Sequence, residues 1–185
     1  MEEWRRVILN LIGKYKVDLV LLQRRTRRLV LATFISLSLF LALIARFAVR
    51  TLHFFEIVFT ITVSIFLYVT SWGSIFFNYG LFSASAKLGA FCCFLIFGYI
   101  TVPSVVLTAV SIGFWRGSLR WKLLIWLGSS AVLLGMEALA VWGKVIIYHD
   151  WSFSSTFTAW IVYLAVLFIL VHMYRNLLRK DVRIP

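Results

Sequence analysis

The sequence predicts an all-α membrane protein: a polytopic helix bundle of four to five transmembrane helices, preceded by a basic amphipathic helix. Five long apolar blocks run along the 185 residues, and nearly all of the arginine and lysine lies between them. The chain is 62% hydrophobic and 17% aromatic, with a mean hydropathy of +0.95, whereas soluble domains are roughly 45–50% apolar. Because only two prolines and ten glycines interrupt it, helices are the natural way to pair its backbone groups in lipid.

Residues 1–28 are predicted to form a basic amphipathic segment at the membrane surface. Apolar side chains recur at three- and four-residue steps from Trp4 to Leu22, which is a helical period. Lys14 and Lys16 would sit at mid-bilayer if this segment crossed, so a helix lying among the headgroups is favoured. A cytosolic helix packed on a partner is the alternative. Four arginines close the segment and are expected to face anionic lipid headgroups. They are Arg24, Arg25, Arg27 and Arg28.

The five apolar blocks are the predicted transmembrane helices. They cover residues 29–45, 57–77, 88–114, 123–143 and 153–174, and a basic cytoplasmic tail is predicted over residues 175–185. About 20 helical residues cross a hydrocarbon core about 30 Å thick, so the last four blocks are long enough. The first block has only 17 residues between Arg28 and Arg46. The sequence therefore leaves open whether this block crosses the membrane.

The basic residues indicate an orientation only if the first block does not cross. With five crossings, ten of the nineteen lysines and arginines fall on one side and nine on the other, which is no bias. If the first block stays on one side, every basic residue except Lys87 and Lys144 shares one face. That second division agrees with the positive-inside rule and places the C-terminus in the cytoplasm. We therefore predict a multi-pass protein of the cell membrane with a cytoplasmic C-terminus.

Glu137 is the most informative polar residue. It is the only charge in the block 123–143, and an acid within hydrocarbon is rare enough that function is the default hypothesis. It could relay a proton or cation, anchor neighbouring helices, or act as a general acid or base; the anchor is favoured, since polar groups commonly hold helices together. Lys144 follows two turns later on roughly the same face and could pair with it through an intermediate group. Pro103 interrupts the third block and should kink that helix.

Two interfacial segments carry further polar residues. Glu56 opens the second block, and Arg46, Arg50 and His53 precede it by helical steps, which predicts a salt-bridged turn. The loop before the last block has an adjacent histidine and aspartate, but two ligands do not make a metal site. A solvated loop is favoured there, and we predict no catalytic residue, cofactor or metal. The loop residues are Tyr148, His149, Asp150 and Trp151.

The second half of the chain resembles a family of small, uncharacterised integral membrane proteins from spore-forming Firmicutes. The resemblance covers about residues 70–185 and depends on a proline, a late acid, two aromatic residues and a serine cluster: Pro103, Glu137, Tyr148, Trp151, Ser152, Ser154 and Ser155. It implies an intramembrane glutamate followed by a tyrosine and a tryptophan before the final helix. This chain departs from the family in its long basic N-terminus, and it lacks the second tryptophan and the histidine expected shortly after Trp151. The family has no assigned activity, so the resemblance implies fold and location only.

Three function classes remain open. The first is a non-enzymatic interaction or assembly protein, whose partners are the lipid bilayer, anionic lipid headgroups, and either further copies of itself or another membrane protein. The second is a small transporter or channel subunit in which Glu137 binds a proton or cation. The third is an intramembrane enzyme, disfavoured because only a folded-back loop could bring His149 and Asp150 to Glu137. The net charge of +12 flanks apolar blocks, so nucleic acid is not an expected partner.

Overall fold

The computed structural model describes residues 28–76, 78–84, 88–115, 118–149 and 152–181. Within these residues, five helices are long and apolar enough to cross a membrane. The predicted fold class, an all-α helix bundle, is confirmed. The predicted amphipathic helix, with Arg24, Arg25 and Arg27, lies outside the described residues, and so do Asp150 and Trp151.

The helices fall on the five apolar blocks. Helix α1 covers Arg28–Thr51 and ends in a 3₁₀ turn, Val49–Thr51. Helix α2 covers Phe54–Tyr68 and continues as a π-helical segment, Val69–Phe76. Helix α3 has three parts, which are Leu88–Ile96, the π-helical segment Phe97–Thr101, and Val102–Trp115. Helix α4 covers Leu119–Trp142, and α5 covers Phe153–Asp181. Two short strands, β1 (Phe82–Ala84) and β2 (Ile146–Tyr148), pair antiparallel, with Ser83 opposite Ile147.

The strand pair defines one end of the bundle, which we call the Tyr148 end. It joins the end of α2 and the start of α3 to the end of α4 and the start of α5. Helix α1 also begins here, because Val30 packs against Gly143 and Leu31 against Gly89. At the opposite end, the Arg175 end, α1 finishes, α2 begins and α5 finishes. There Arg175 contacts Glu56 of α2.

Helix α1 runs the whole length of the bundle and is long and apolar enough to cross a membrane, although the apolar block within it has only 17 residues. It has 24 residues, equivalent to about 36 Å of helix. It continues beyond the apolar block because arginine is a good helix former and its long side chain reaches polar surroundings from the last turns. Arg46 and Arg50 therefore belong to the helix. Among the described basic residues, Arg28 and Lys144 lie at the Tyr148 end and the others at the Arg175 end, and the cytoplasmic C-terminus stays a prediction.

Helix α3 is the centre of the bundle. Its most apolar window is 61% buried, against 22–33% for the other four helices. The Thr101 hydroxyl donates to Ser38 Oγ of α1 at 2.9 Å, which joins two helices deep in the bundle. The disruption predicted at Pro103 takes the form of the π-helical segment just before it. There the Val102 N–H donates to the Phe97 carbonyl, five residues back.

Candidate functional site

Glu137 lies inside the bundle, near the Tyr148 end of α4, and is 1% exposed. The Tyr148 hydroxyl donates to its Oε1 at 2.5 Å, and the Trp160 indole N–H donates to its Oε2 at 2.7 Å. Trp72 supplies a further side-chain hydrogen bond, and Thr156 Oγ1 lies 3.1 Å from the Tyr148 hydroxyl. These five residues form what we call the Glu137 cluster. Neutral donors from α2, β2 and α5 thus converge on one carboxyl group of α4.

A tight turn after α4 brings Tyr148 back to Glu137. The Gly143 and Val145 N–H groups donate to the Leu139 and Ala140 carbonyls at 2.8 Å each. Lys144 is exposed and has a φ of 54°, a left-handed conformation that reverses the chain. The loop therefore does fold back, but the residue that it presents to Glu137 is Tyr148.

An aromatic stack covers the cluster on the side facing α2 and α3. The Trp72 and Trp160 rings lie 4.3 Å apart at 26°, and Trp160 is fully buried. Tyr68 stacks on Trp72 at 5.6 Å, and Phe97 meets Trp160 edge-on at 5.9 Å. Trp72 and Phe97 each belong to a π-helical segment. Both departures from α-helical geometry therefore place rings next to the partners of Glu137, and such segments are frequent at functional sites.

The close approach of Gly98 to Tyr68 gives a direct test of this packing. A Cβ at Gly98 would lie within 2.8 Å of Tyr68 Cδ1 and closer still to Cε1, so Gly98→Ala must displace a ring that packs beside the Trp72–Trp160 stack. We expect a loss of about 2 kcal/mol in the free energy of unfolding, the usual scale for overpacking. Chemical denaturation in detergent micelles measures it. Gly135→Ala is the matched control, because no atom lies within 4 Å of its added Cβ. Equal losses for the two variants would contradict the packing.

The interior face of α2 is polar along its whole length. Five buried residues follow one another at four-residue steps from the Arg175 end to the Glu137 cluster: Glu56, Thr60, Ser64, Tyr68 and Trp72. The outward face is apolar, and Phe66, for example, is 65% exposed. The Tyr163 hydroxyl donates to the Ser64 carbonyl at 2.7 Å. Within the described residues, the Tyr68 hydroxyl has no hydrogen-bond partner. We call these five residues the α2 polar stripe.

At the Arg175 end, Glu56 both caps α2 and forms an ion pair. Its Oε2 accepts the His53 backbone N–H at 2.9 Å, and its Oε1 lies 3.2 Å from Arg175 Nε. The Arg175 guanidinium also lies over the Phe114 ring at 4.2 Å. The predicted salt-bridged turn was therefore wrong about the cation, because Arg175 comes from α5 and not from the residues preceding Glu56. Nothing in the local spacing of the sequence indicates which distant helix supplies the partner.

The second predicted site is only partly described. His149 is exposed, and its Nε2 lies 3.1 Å from the Ser83 hydroxyl across the strand pair. Asp150 and Trp151 lie outside the described residues. Among the residues that the structure describes, no group of three or more histidine, cysteine, aspartate or glutamate side chains is placed to hold a metal ion. The serine cluster after this loop has a local structural role, since Ser152 Oγ accepts the Ser155 N–H at 3.2 Å at the start of α5.

The Tyr148 hydroxyl should make stability depend on alkaline pH. Burial raises the pKa of this hydroxyl well above its ordinary value of 10.0, and the charge and hydrogen bond of Glu137 raise it further. Above pH 10 the unfolded chain loses this proton while the folded protein keeps it, so stability falls as the pH rises. We expect the stability advantage of the wild type over Tyr148→Phe to shrink above pH 10, as measured by unfolding at several pH values. A difference that stays constant with pH would contradict this.

Sequence reasoning singled out Glu137, placed Tyr148 in a loop that was favoured to be solvated, and missed the other members of the cluster and the neighbouring Tyr68. Thr156 and Trp160 are one turn apart at the start of α5, and Tyr68 and Trp72 are one turn apart in α2. Four-residue spacing of polar and amphipathic side chains in an apolar block was the available signal. It indicates a shared face, but not which helix lies opposite that face.

No protein-family model, curated protein or solved structure matches this chain. The resemblance to small membrane proteins of spore-forming Firmicutes therefore stays a prediction.

Proposed function

We propose that this chain is a non-enzymatic multi-pass protein of the cytoplasmic membrane that acts through interaction and assembly with other membrane components. The observation that carries the proposal is the use made of the Glu137 carboxyl. Both of its oxygens accept hydrogen bonds from the protein itself. A relay or a general acid needs access to water or substrate, whereas Glu137 is 1% exposed. This geometry favours the helix anchor over the other two roles.

The outward faces supply the surface for interaction. On the outer side of α1, Leu39, Leu43 and Phe47 are each more than half exposed. In a membrane such a face meets lipid chains or another apolar helix. The proposed partners are accordingly the bilayer, anionic headgroups, and a second copy or another membrane protein.

The assembly proposal is tested by site-specific photo-crosslinking in native membranes. A photoreactive residue at Leu43 should give defined adducts that mass spectrometry identifies as a second copy or another membrane protein. The same residue at Phe34, which is 1% exposed, is the control and should crosslink only within the chain. If Leu43 and other outward positions give lipid adducts alone, the assembly role is wrong.

The α2 polar stripe favours a second candidate, a small transporter or channel subunit. It runs from Glu56 at one end of the bundle to the Glu137 cluster near the other, and the buried Tyr68 hydroxyl without a partner is the kind of group that water or an ion can satisfy. In this candidate Glu137 takes up a proton or cation.

Flux measurements distinguish the two candidates. The purified full chain is reconstituted into vesicles, and proton and alkali-cation movement is compared with protein-free vesicles and with Glu137→Gln, which keeps the shape of the side chain. The leading proposal expects no flux above the protein-free level in either preparation. Flux in the wild type that disappears in a folded Glu137→Gln protein would replace it with the transporter.

A further inference from the structure

An open cavity of about 620 Å³ with charged residues in its lining lies at the Arg175 end, between the end of α1, the start of α2 and the last turns of α5. Its lining includes three arginines, a histidine and a single glutamate: Arg50, Arg175, Arg179, His53 and Glu56. Arg50, His53 and Arg179 are exposed, so the cavity is accessible from outside the bundle. Counting the arginines and the glutamate, the lining carries a net charge of +2, with the histidine neutral.

Both carboxyl oxygens of Glu56, the one acid that lines this cavity, already contact other groups of the protein. Glu56 holds the His53 backbone N–H with one oxygen and Arg175 Nε with the other. Besides Nε, the Arg175 guanidinium has two terminal nitrogens that carry four further N–H donors. His53 Nδ1 lies 3.5 Å from the Phe55 N–H, in position to accept it, which leaves Nε2 to carry the proton when the ring is neutral. Glu56 therefore orients Arg175 but does not cancel the charge of Arg50 and Arg179.

The residues around the cavity are of the types found where lipid headgroups meet lipid chains. Phe54 and Phe55, the first two residues of α2, are 68% and 54% exposed. Phe47 is 64% exposed, and the Arg50 guanidinium lies 5.5 Å from the centre of its ring. Exposed phenylalanine rings beside arginines are typical of helical segments at the boundary between hydrocarbon and headgroups. A ligand at this level would have an apolar part among the rings and an anionic part at the arginines.

We infer that this cavity binds the phosphate group of an anionic phospholipid. Arginine donors match phosphate oxygens in geometry and charge, and basic pockets between membrane helices bind anionic headgroups. The site is distinct from the arginines predicted to face lipid ahead of α1. It rests on the proposed function and deepens it, because it names the residues that would hold one of the proposed partners, an anionic headgroup.

The test compares two double variants of the full chain that remove the same charge from the same end. Arg50→Gln with Arg179→Gln changes the cavity and leaves the Glu56–Arg175 pair intact. Arg46→Gln with Arg120→Gln removes two exposed arginines that do not line the cavity. Native mass spectrometry, after release from micelles containing phosphatidylcholine and phosphatidylglycerol, measures how much phosphatidylglycerol each protein retains. A parallel arm measures thermal unfolding in phosphatidylcholine nanodiscs, with phosphatidylglycerol or with millimolar inorganic phosphate added.

We expect the cavity variant to retain roughly ten-fold less phosphatidylglycerol than the wild type, in line with the loss of charge-assisted hydrogen bonds. The control variant should stay close to the wild type. Phosphatidylglycerol, and not inorganic phosphate, should stabilise the wild type more than the cavity variant. Equal retention by the two variants would overturn the site. A cavity-dependent stabilisation by inorganic phosphate that equals that of the lipid would overturn the assignment to a lipid.

Discussion

Replacing Glu137 with alanine is expected to lower the free energy of unfolding by about 3 kcal/mol, because buried donors that lose their acceptor each cost about 1–3 kcal/mol. The Trp160 indole, 0% exposed, would lose the acceptor that it has at 2.7 Å. The Tyr148 hydroxyl would lose its acceptor at 2.5 Å and keep its contact with Thr156. Glu137→Gln retains an acceptor and the side-chain shape, so its loss should be about 1 kcal/mol. Reversible unfolding of the purified protein in mixed micelles measures both.

Val132→Ala is the control for Glu137→Ala, since Val132 lies on the same helix and is 41% exposed. It should change the free energy of unfolding little. Were Glu137→Ala no more destabilising than Val132→Ala, the carboxyl would not be holding the helices together. A variant that becomes more stable on losing the acid would point to a residue kept for function at the expense of stability.

Trp160→Ala is expected to be at least as damaging, at about 4 kcal/mol, a typical cost for removing a large buried ring. Trp160 is the largest fully buried side chain among the described residues. Trp160 makes three contacts: it stacks on Trp72, it meets Phe97 edge-on, and it donates a hydrogen bond to Glu137. Its loss should therefore disturb α2, α3 and α4 together. Near-ultraviolet circular dichroism should report the lost ring packing in the same samples.

Trp142→Ala provides a matched control for Trp160→Ala. Trp142 closes α4 at the Tyr148 end and is 67% exposed. Its replacement removes the same atoms from the surface and should cost less than about 1 kcal/mol, as surface substitutions usually do. Similar losses at the two tryptophans would show that the interior stack contributes little.

The helices were predictable because the hydrocarbon core demands long apolar segments, and composition alone reveals them. Glu137 was predictable for the converse reason, since a lone acid stands out in such a segment. The length of α1 was not predictable, because the apolar run ends at Arg46, whereas the helix continues through the arginines into polar surroundings. Hydropathy therefore locates a span better than it locates the ends of the helix.

The sequence also could not predict which side chains contact each other between helices. Which side chain meets Glu137 depends on how α4 and α5 are rotated relative to each other and on the turn at Lys144, and neither has a local signal. The same applies to Glu56, whose cation comes from the far end of α5. In the α2 polar stripe, by contrast, the four-residue spacing was visible in the sequence, and only the direction of that face had to come from the fold.

A double-mutant cycle between Glu137 and Tyr148 tests most directly whether the hydrogen bond between the carboxyl and the hydroxyl stabilises the packing of α4 against the segment that follows it. Tyr148→Phe removes only the hydroxyl that donates at 2.5 Å, and Glu137→Ala removes its acceptor. The free energy of unfolding is measured for both single variants, the double variant and the wild type. If this hydrogen bond stabilises the fold, the double variant loses less free energy of unfolding than the two single variants combined, by about 1 kcal/mol. Strictly additive losses would contradict it.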